Sequence, residues 1–382
     1  MKKKICFFCS VDSFDTGMPI STFKLIEYFF NNPEYQVFTL LPAEGEFVRH
    51  LRRIGIQPDI IPFRRLQSIH HPKGLINFLF QFPFAFLRIT RYFAKNKINL
   101  VHFSDIIDMP FYACGFLARA ACIAHLRHCI ENSLARTLFK ASAVLFIHKT
   151  ICISQAVKEH SGLTDSKATV IYNPGPLLTL FNPDTTFQKI PSLPDNIPIV
   201  MTIAKFLKVK GHENFVRMAR CIELEKPHFC HFAILGNKFG GHEKYYEYVQ
   251  SLIREYGLAQ CLTILDQVRH EEVPAYLSRA AVFVHLPNWQ EGLGGVILEA
   301  MAMRLPVVAF DCGGVGECFS DGVSGFLVQK GNVQKAADKV LELLNNPEMR
   351  KSVGWRARKD LSLRFSYEKH FSEITKVYDM YI

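Results

Sequence analysis

Residues 291–328 read EGLGGVILEAMAMRLPVVAFDCGGVGECFSDGVSGFLV, and this stretch decides the fold prediction. Glycines open a helical pattern, an apolar run at 306–310 leads to Gly313-Gly314, and a second apolar run comes at 326–328. Short apolar runs that are bounded by turn residues and separated by a helix are typical of βαβ units with a buried parallel sheet. The stretch therefore predicts a doubly wound α/β domain.

The same alternation of strand and helix patterns fills the rest of the chain. In the first half, strands are predicted at 4–9, 36–41, 98–103, 121–125, 144–147 and 150–153. In the second half, they are predicted at 198–204, 229–235, 261–265, 282–285, 306–310 and 326–328. A proline-punctuated stretch that begins at Asn173 separates the halves. We predict one domain at 1–180, a second at 181–364, and a final amphipathic helix within 365–382.

The composition bounds the class of protein. The 382 residues are 49% hydrophobic and 21% charged, which is typical of a globular chain of about two domains. Eleven cysteines lack disulfide-scaffold spacing, and the amino-terminal apolar segment is too short for a signal peptide, so we expect a cytoplasmic protein. No segment fits a P-loop or a dinucleotide-binding G-x-G-x-x-G in the first βα turn, which argues against those cofactors.

Basic residues are concentrated in the first half. Residues 49–97 contain ten lysines and arginines against one acid, Asp59. Such a surface suits an anionic partner, either membrane lipid or nucleic acid, although no recognised nucleic-acid motif is present. Within this region lies the aromatic run 75–90, which is too interrupted to span a bilayer. It is interpreted either as a helix that lies on a membrane or as a buried helix of the first domain.

Loops that come after predicted strands carry the candidate binding residues, because open α/β sheets bind ligands at the carboxyl ends of their strands. Lys205 and Lys210 precede a helix start, where they suit a diphosphate or form a solvated basic turn. Gly236-Asn237 indicates a tight turn after a strand. Val268 lies in a third such loop, whose backbone suits contact with a nucleotide base.

Two carboxylates bracket the glycine-opened helix. Its glycines allow a ligand to approach the backbone, and its first N–H groups favour a phosphate. Glu299 lies about one turn inside the helix among apolar neighbours, where ribose hydroxyls would be suitable donors to it. Glu291 precedes the helix and suits the hydroxyls of a sugar. The alternative is that Glu299 faces solvent and Glu291 is an ordinary loop acid.

Together these loops resemble the retaining glycosyltransferases of family 4, which have the GT-B fold of two facing Rossmann-like domains and a last helix that crosses back to the first domain. The run 291–328 matches the family's pattern almost throughout, from E-G-x-G-x-x-x-x-E-A-M-A to the closing G-F-L-V, and Lys205 and Lys210 fall where the family has a basic pair. The resemblance implies transfer of a sugar from a UDP-, GDP- or ADP-sugar to a glycan or glycolipid acceptor. No other cofactor and no metal are expected.

The resemblance also implies roles for single residues. Glu299 is expected to bind the ribose and Glu291 the donor sugar, with Lys205 and Lys210 stabilising the leaving phosphates. The remaining donor contacts are expected at Gly17, Gly236, Asn237, Val268, Gly292, Leu293, Gly294, Gly295, Gly313 and Gly314. The family's active-site histidine of the first domain corresponds to Arg127 or His128, depending on register.

The predicted function is therefore a hexosyltransferase-type glycosyltransferase that acts on a lipid-linked or polysaccharide acceptor, with residues 49–97 binding the inner face of an anionic membrane. A nucleotide-sugar epimerase of the same fold is one alternative. A non-catalytic anion-binding protein is the other.

Overall fold

The computed structural model describes residues 2–10, 17–64, 72–236 and 242–382, with 72–75 described as backbone only. The chain divides into two compact units. The first comprises Met1–Asn173 with Tyr367–Ile382, and the second comprises Pro174–Ser366. The divisions thus fall after residues 173 and 366, whereas the sequence prediction places them after 180 and 364.

The first unit is built on a parallel sheet. Within its described residues, the strands β1 to β7 are Lys3–Phe8, Tyr35–Leu41, Asp59–Ile60, Leu100–Phe103, Ala121–Leu126, Lys149–Cys152 and Ala168–Val170. The helices α1 to α6 are Gly17–Asn31, Glu46–Arg53, Pro72–Asn96, Tyr112–Leu117, Ser133–Phe146 and Gln155–Ser161. The strands pair in the order β3-β2-β1-β4-β5-β6-β7.

The second unit repeats this plan. Within its described residues, the strands β8 to β13 are Ile199–Ile203, His231–Leu235, Leu262–Leu265, Val282–His285, Val307–Asp311 and Phe326–Gln329. The helices α7 to α12 are His212–Glu225, Glu243–Glu255, Val273–Leu277, Gly295–Ala302, Val333–Asn345 and Pro347–Arg364. The strands pair in parallel in the order β10-β9-β8-β11-β12-β13.

The central strands are buried on both faces. The last four residues of β1 and all six of β5 are buried, as are the four residues of β11. Helices cover both faces of a parallel sheet, so its strands appear in the sequence as continuous apolar runs rather than as an alternation. The predicted fold class, two Rossmann-like α/β domains, is confirmed.

The last helix, α13 (Tyr367–Asp379), belongs to the first unit. Tyr378 is fully buried, its ring stacks on Phe29 with centroids 4.9 Å apart, and its hydroxyl lies 2.6 Å from His102 Nδ1. At the surface, Lys3 Nζ pairs with Asp379 at 2.6 Å. The predicted return of the final helix to the first domain is therefore observed.

One predicted strand is wrong. Residues 144–146 form the last turn of α5, which begins after Asn132, whose side chain accepts a hydrogen bond from the Ala135 N–H at 2.9 Å. A short apolar run is compatible with either a strand or a helix end. The capped, alanine-containing segment before it continues the helix through Phe146, and the strand β6 begins only at Lys149.

Helix α3 has two apolar faces. Phe78, Ala85, Ile89 and Phe93 are buried at helical spacing, so part of this helix belongs to the core of the first unit. Five large apolar side chains on the same helix are exposed: Ile76, Leu79, Phe80, Phe84 and Leu87. Among the described residues, no helix is both long and apolar enough to cross a bilayer.

Candidate functional site

The loop after β8 carries the predicted basic pair. Lys205 lies just after the strand, and Lys210 ends a single turn of 3-10 helix, Lys208–Lys210, just before α7. The next residue, Gly211, has a φ of +69°, and a Cβ there would lie 2.0 Å from the Leu286 carbonyl oxygen. Glycine is therefore needed for this loop to lie so close to the residue after β11.

A hydrogen-bond network fastens the same loop. Asn288 Nδ2 donates to the Lys208 carbonyl oxygen at 2.8 Å and to Glu213 Oε1 at 2.7 Å, while its N–H donates to the Val209 carbonyl oxygen at 2.9 Å. Asn214 in turn donates to Asn288 Oδ1 at 2.8 Å. Connected and satisfied polar groups of this kind hold one backbone conformation. The network thereby fixes the position from which the Lys210 side chain extends.

Lys210 reaches Glu291, so the loops after β8 and β11 meet. Its Nζ lies 2.7 Å from Glu291 Oε1, and His285 Nε2 lies 3.6 Å from the same oxygen. Burial alone would raise the pKa of Glu291, but the interactions with His285 and Lys210 outweigh it and lower the pKa to about 2. Glu291 is therefore a half-buried, charged carboxylate beside an ammonium group.

The Glu291 backbone also joins the two glycines after β12. Gly314 N–H donates to the Glu291 carbonyl oxygen at 2.8 Å, and Glu291 forms an isolated β-bridge with Gly313. Gly313 has a φ of +59°, and a Cβ there would lie 2.2 Å from that same carbonyl oxygen. The structure thus brings Lys210, Glu291, Gly313 and Gly314 together at the carboxyl ends of β11 and β12.

Helix α10 starts directly after this cluster. Gly294 precedes its first residue, Gly295, and as a glycine it has no side chain to cap the helix amino terminus. Gly292 and Gly294 are buried, and Leu293 between them is half-buried. A helix amino terminus with uncapped N–H groups is a suitable site for an anionic ligand.

Glu299 lies inside α10 and is not on a solvent-facing stripe, because its side chain is only 17% exposed. His270, from the 3-10 turn His270–Glu272 before α9, places Nε2 3.0 Å from Glu299 Oε1. The Phe181 ring lies against His270, with centroids 5.3 Å apart. Glu299 is therefore held by a histidine, which the sequence interpretation did not include.

Of the remaining predicted donor residues that the structure describes, two lie in different loops and one lies at a helix start. Gly236 directly follows β9, and a Cβ there would lie 1.9 Å from the Ala204 carbonyl oxygen, so it lies directly beside the start of the Lys205 loop. Val268 is half-buried in the loop after β10. Gly17 begins α1, and Asn237 lies outside the described residues. In the described part of the chain, no group of three or more metal-ligating side chains is found.

The structure distinguishes the two candidates in the first unit. Arg127 is 4% exposed and donates to the Ser104 carbonyl oxygen at 3.0 Å, to Ser21 Oγ at 2.7 Å and to Thr22 Oγ1 at 3.1 Å. Burial lowers its pKa to about 10, with Asp105 acting in the opposite direction. Arg127 therefore ties the start of α1 to the end of β4 from within the interior.

His128 is exposed, with a side chain 66% accessible, and its Nε2 lies 3.5 Å from Asp105 Oδ2. Asp105 lies just after the end of β4, and Asp108 on the next turn is fully buried. Burial raises the pKa of Asp108 to about 7, although hydrogen bonds from Ser10 and two backbone N–H groups act in the opposite direction. Of the two predicted alternatives, His128 is the one that solvent and a ligand can reach.

Sequence reasoning missed His270, His285 and Asn288. His285 is the last residue of β11 and Asn288 comes three residues later, so the strand-end position is a signal that could have identified both. His270 carries no such signal, because its partner Glu299 is 29 residues away in sequence.

Residues 184–360 match the sequence profile of the family described as glycosyl transferases group 1. An uncharacterized glycosyltransferase of Methanocaldococcus jannaschii is 28% identical over 252 residues, which cover 65% of this chain and 64% of that protein. The aligned part is thus less than two thirds of that relative's length. A D-inositol 3-phosphate glycosyltransferase of Corynebacterium aurimucosum is 27% identical over 369 residues, which cover 90% of this chain and 86% of that protein.

Among solved structures, HepE of Anabaena in complex with UDP shares the fold with a TM-score of 0.81 at 19% identity, covering 99% of this chain and 100% of its own. None of these three proteins is described as an epimerase or as a non-catalytic binding protein. The second unit, which carries the clustered strand-end loops, is thus similar to the group 1 glycosyltransferases over residues 184–360, just under half of the chain.

Proposed function

We propose that this protein transfers a sugar from a nucleoside diphosphate sugar to an acceptor hydroxyl with retention of configuration. The observation that carries the proposal is the cluster of Lys210 and Glu291 beside the uncapped amino terminus of α10 and the Gly313-Gly314 turn. Cationic and N–H groups at one end of this cluster suit a diphosphate, and the carboxylate suits sugar hydroxyls.

In this mechanism the departing nucleoside diphosphate gains negative charge while the sugar takes on oxocarbenium character. Lys205, Lys210 and the first N–H groups of α10 stabilise that charge without reorganising during the reaction. Glu291 accepts hydrogen bonds from the donor sugar, and Glu299 accepts them from the ribose. Both carboxylates act by accepting hydrogen bonds and orienting the donor, and neither forms a covalent bond.

The donor nucleotide is proposed to be UDP, GDP or ADP. The fold shared with HepE, whose structure was solved with UDP, supports testing UDP first. The test is a thermal-shift series with UDP, GDP, ADP and CMP and their sugars, because a ligand that binds the native state alone raises the unfolding temperature. The nucleotide sugar that raises the unfolding temperature is then incubated with an acceptor. Release of the bare nucleotide only when the acceptor is present would establish transfer. A series in which no nucleotide raises the unfolding temperature would contradict the proposal.

The acceptor is proposed to be a glycolipid or membrane-linked glycan, reached from the cytoplasmic face of an anionic bilayer. Support comes from the exposed apolar side chains of α3 and from exposed basic residues that follow them toward the carboxyl end of the same helix. Those basic residues are Arg88, Arg91 and Lys95. Apolar side chains that insert at the lipid boundary, together with cations near the headgroups, are typical of helices that lie on anionic membranes.

His128 is proposed as the acceptor-side group of the first unit. It is exposed and pairs with Asp105 at the carboxyl ends of β4 and β5, while Arg127 is saturated with internal hydrogen bonds. An exposed imidazole beside a carboxylate is suited to orient or accept a proton from a hydroxyl.

A further inference from the structure

A buried histidine contacts the carboxylate that we propose meets the donor sugar. His285 is the last residue of β11, and its side chain is 3% exposed. Its Nε2 and Lys210 Nζ lie 3.6 Å and 2.7 Å from one and the same atom, Glu291 Oε1. Two nitrogen groups, one from the end of a strand and one from a loop, therefore converge on one oxygen of this side chain.

The packing of β11 gives no reason for a polar residue at this position. The other three residues of the strand are apolar and buried, and among the described residues His285 Nε2 has no hydrogen-bond partner. A buried polar nitrogen without a hydrogen-bond partner costs free energy, which a leucine at the same place would avoid. The nitrogen is instead directed at Glu291, so its role concerns that carboxylate.

We propose that His285 is a positioning residue for sugar transfer, which together with Lys210 aligns the Glu291 carboxylate for the donor sugar. The proposal rests on the proposed function. Among the described residues, two thiols also interact electrostatically with Glu291: Cys312, just after β12, and Cys318, in the turn that follows. Burial raises the pKa of these thiols to about 11 and about 12, so both remain neutral at neutral pH.

The test uses three variants of the full chain. His285→Leu removes the nitrogen, His285→Gln keeps a donor near the position of Nε2, and His231→Leu is the matched control. His231 is likewise a buried histidine of the second unit, but it starts β9 and bonds Thr263 at 2.9 Å. UDP affinity is measured by calorimetry, and turnover is measured as nucleotide release from UDP-, GDP- or ADP-glucose over a range of pH.

We expect His285→Leu to lower kcat about tenfold while UDP affinity stays within about twofold, because the bare nucleotide lacks the sugar that Glu291 contacts. The acid limb of the rate profile should move to higher pH, since Glu291 loses one of the groups that keep it charged. His285→Gln should retain most of kcat, and His231→Leu should match the wild type. Equal loss of UDP affinity and kcat, or a glutamine variant as impaired as the leucine variant, would overturn the proposal.

A second measurement needs no nucleotide. A double-mutant cycle of denaturant unfolding, made from His285→Leu and Glu291→Gln, reports whether the two side chains interact. We expect non-additive effects on the unfolding equilibrium, and additive effects would overturn the alignment of Glu291 by His285. If the cycle shows coupling but the wild type neither binds nor turns over any nucleotide sugar, the proposed function fails while the contact between the two residues stands.

Discussion

His270 Nε2 lies 3.0 Å from Glu299 Oε1, so a histidine from the turn before α9 holds a carboxylate that α10 contributes 29 residues later. The hydrogen bond to Glu299 raises the pKa of His270 above its usual 6.5, while burial acts in the opposite direction. The folded protein therefore binds this proton more tightly than the unfolded chain does. The site that we assign to the ribose is consequently sensitive to pH.

We expect the contribution of this pair to stability to be complete below pH 6.5 and to be lost as the pH rises through the raised pKa of His270. Unfolding temperatures measured from pH 5.5 to pH 8.5 should therefore fall more steeply with pH in the wild type than in His270→Gln. Glu299→Gln should flatten the curve in the same way. Parallel curves for the wild type and both variants would contradict the assignment.

The two glutamates should differ in what they bind. Glu299→Ala is expected to weaken UDP binding about tenfold to hundredfold, because a hydrogen bond to a charged group contributes about 1.5–3 kcal/mol. Glu291→Ala should lower turnover of the sugar nucleotide far more than affinity for bare UDP. Calorimetry with UDP and a nucleotide-release assay separate the two effects. Equal losses of UDP affinity in both variants would refute this division of roles.

Gly211 and Gly257 offer a matched pair for the loop after β8. Both have a φ of +69°, but a Cβ at Gly211 would lie 2.0 Å from a carbonyl oxygen, whereas one at Gly257 would have no described atom beyond its chain neighbours within 4 Å. Gly257→Ala should destabilise the protein by about 1–2 kcal/mol through backbone strain alone. Gly211→Ala should cost clearly more and also reduce UDP binding, as measured by denaturant unfolding and calorimetry. Equal stability losses would show that the loop can move away from the end of β11.

The proposed binding of the exposed apolar face of α3 to a membrane can be tested by introducing a single charged side chain. Ile76 on α3 and Leu224 on α7 are each 65% exposed, so replacing either with glutamate should alter stability to a similar, small extent. Ile76→Glu should weaken sedimentation with anionic vesicles at least tenfold, because it removes apolar burial and adds repulsion. Leu224→Glu should not. Binding that is absent in the wild type, or unaffected by salt, would remove the membrane from the proposed function.

The strand-end loops of the second unit were predictable because their function is local. A phosphate site at a helix start needs glycines and nearby cations, so Lys210, Gly294 and Gly313-Gly314 are recognisable within short stretches of sequence. Glu291 was also identified, but its charge state was not. That state depends on His285, at the end of β11, and on Lys210, which approaches only after β8 has paired with β11.

Elements without strong periodicity were harder to predict. Helix α12 buries only four positions, Val353, Gly354, Ala357 and Leu361, and two of these are small, so its sequence gives little amphipathic signal. Gly354 instead allows the helix to approach the Arg304 carbonyl oxygen, 1.9 Å from where a Cβ would be. Strand β3 has two residues, too few for a period to appear. In such cases packing with distant segments decides the local structure.

The position of α13 has a consequence for the order in which the chain folds. The core of the first unit includes Ile374, Val377 and Tyr378, which the ribosome adds after all of 174–366. Domains usually fold in the order of synthesis. In this chain the second unit can complete its core before the first, because the first unit lacks its last helix until synthesis reaches residue 367. Until then, the apolar surface beside Phe29 and His102 that α13 covers stays exposed.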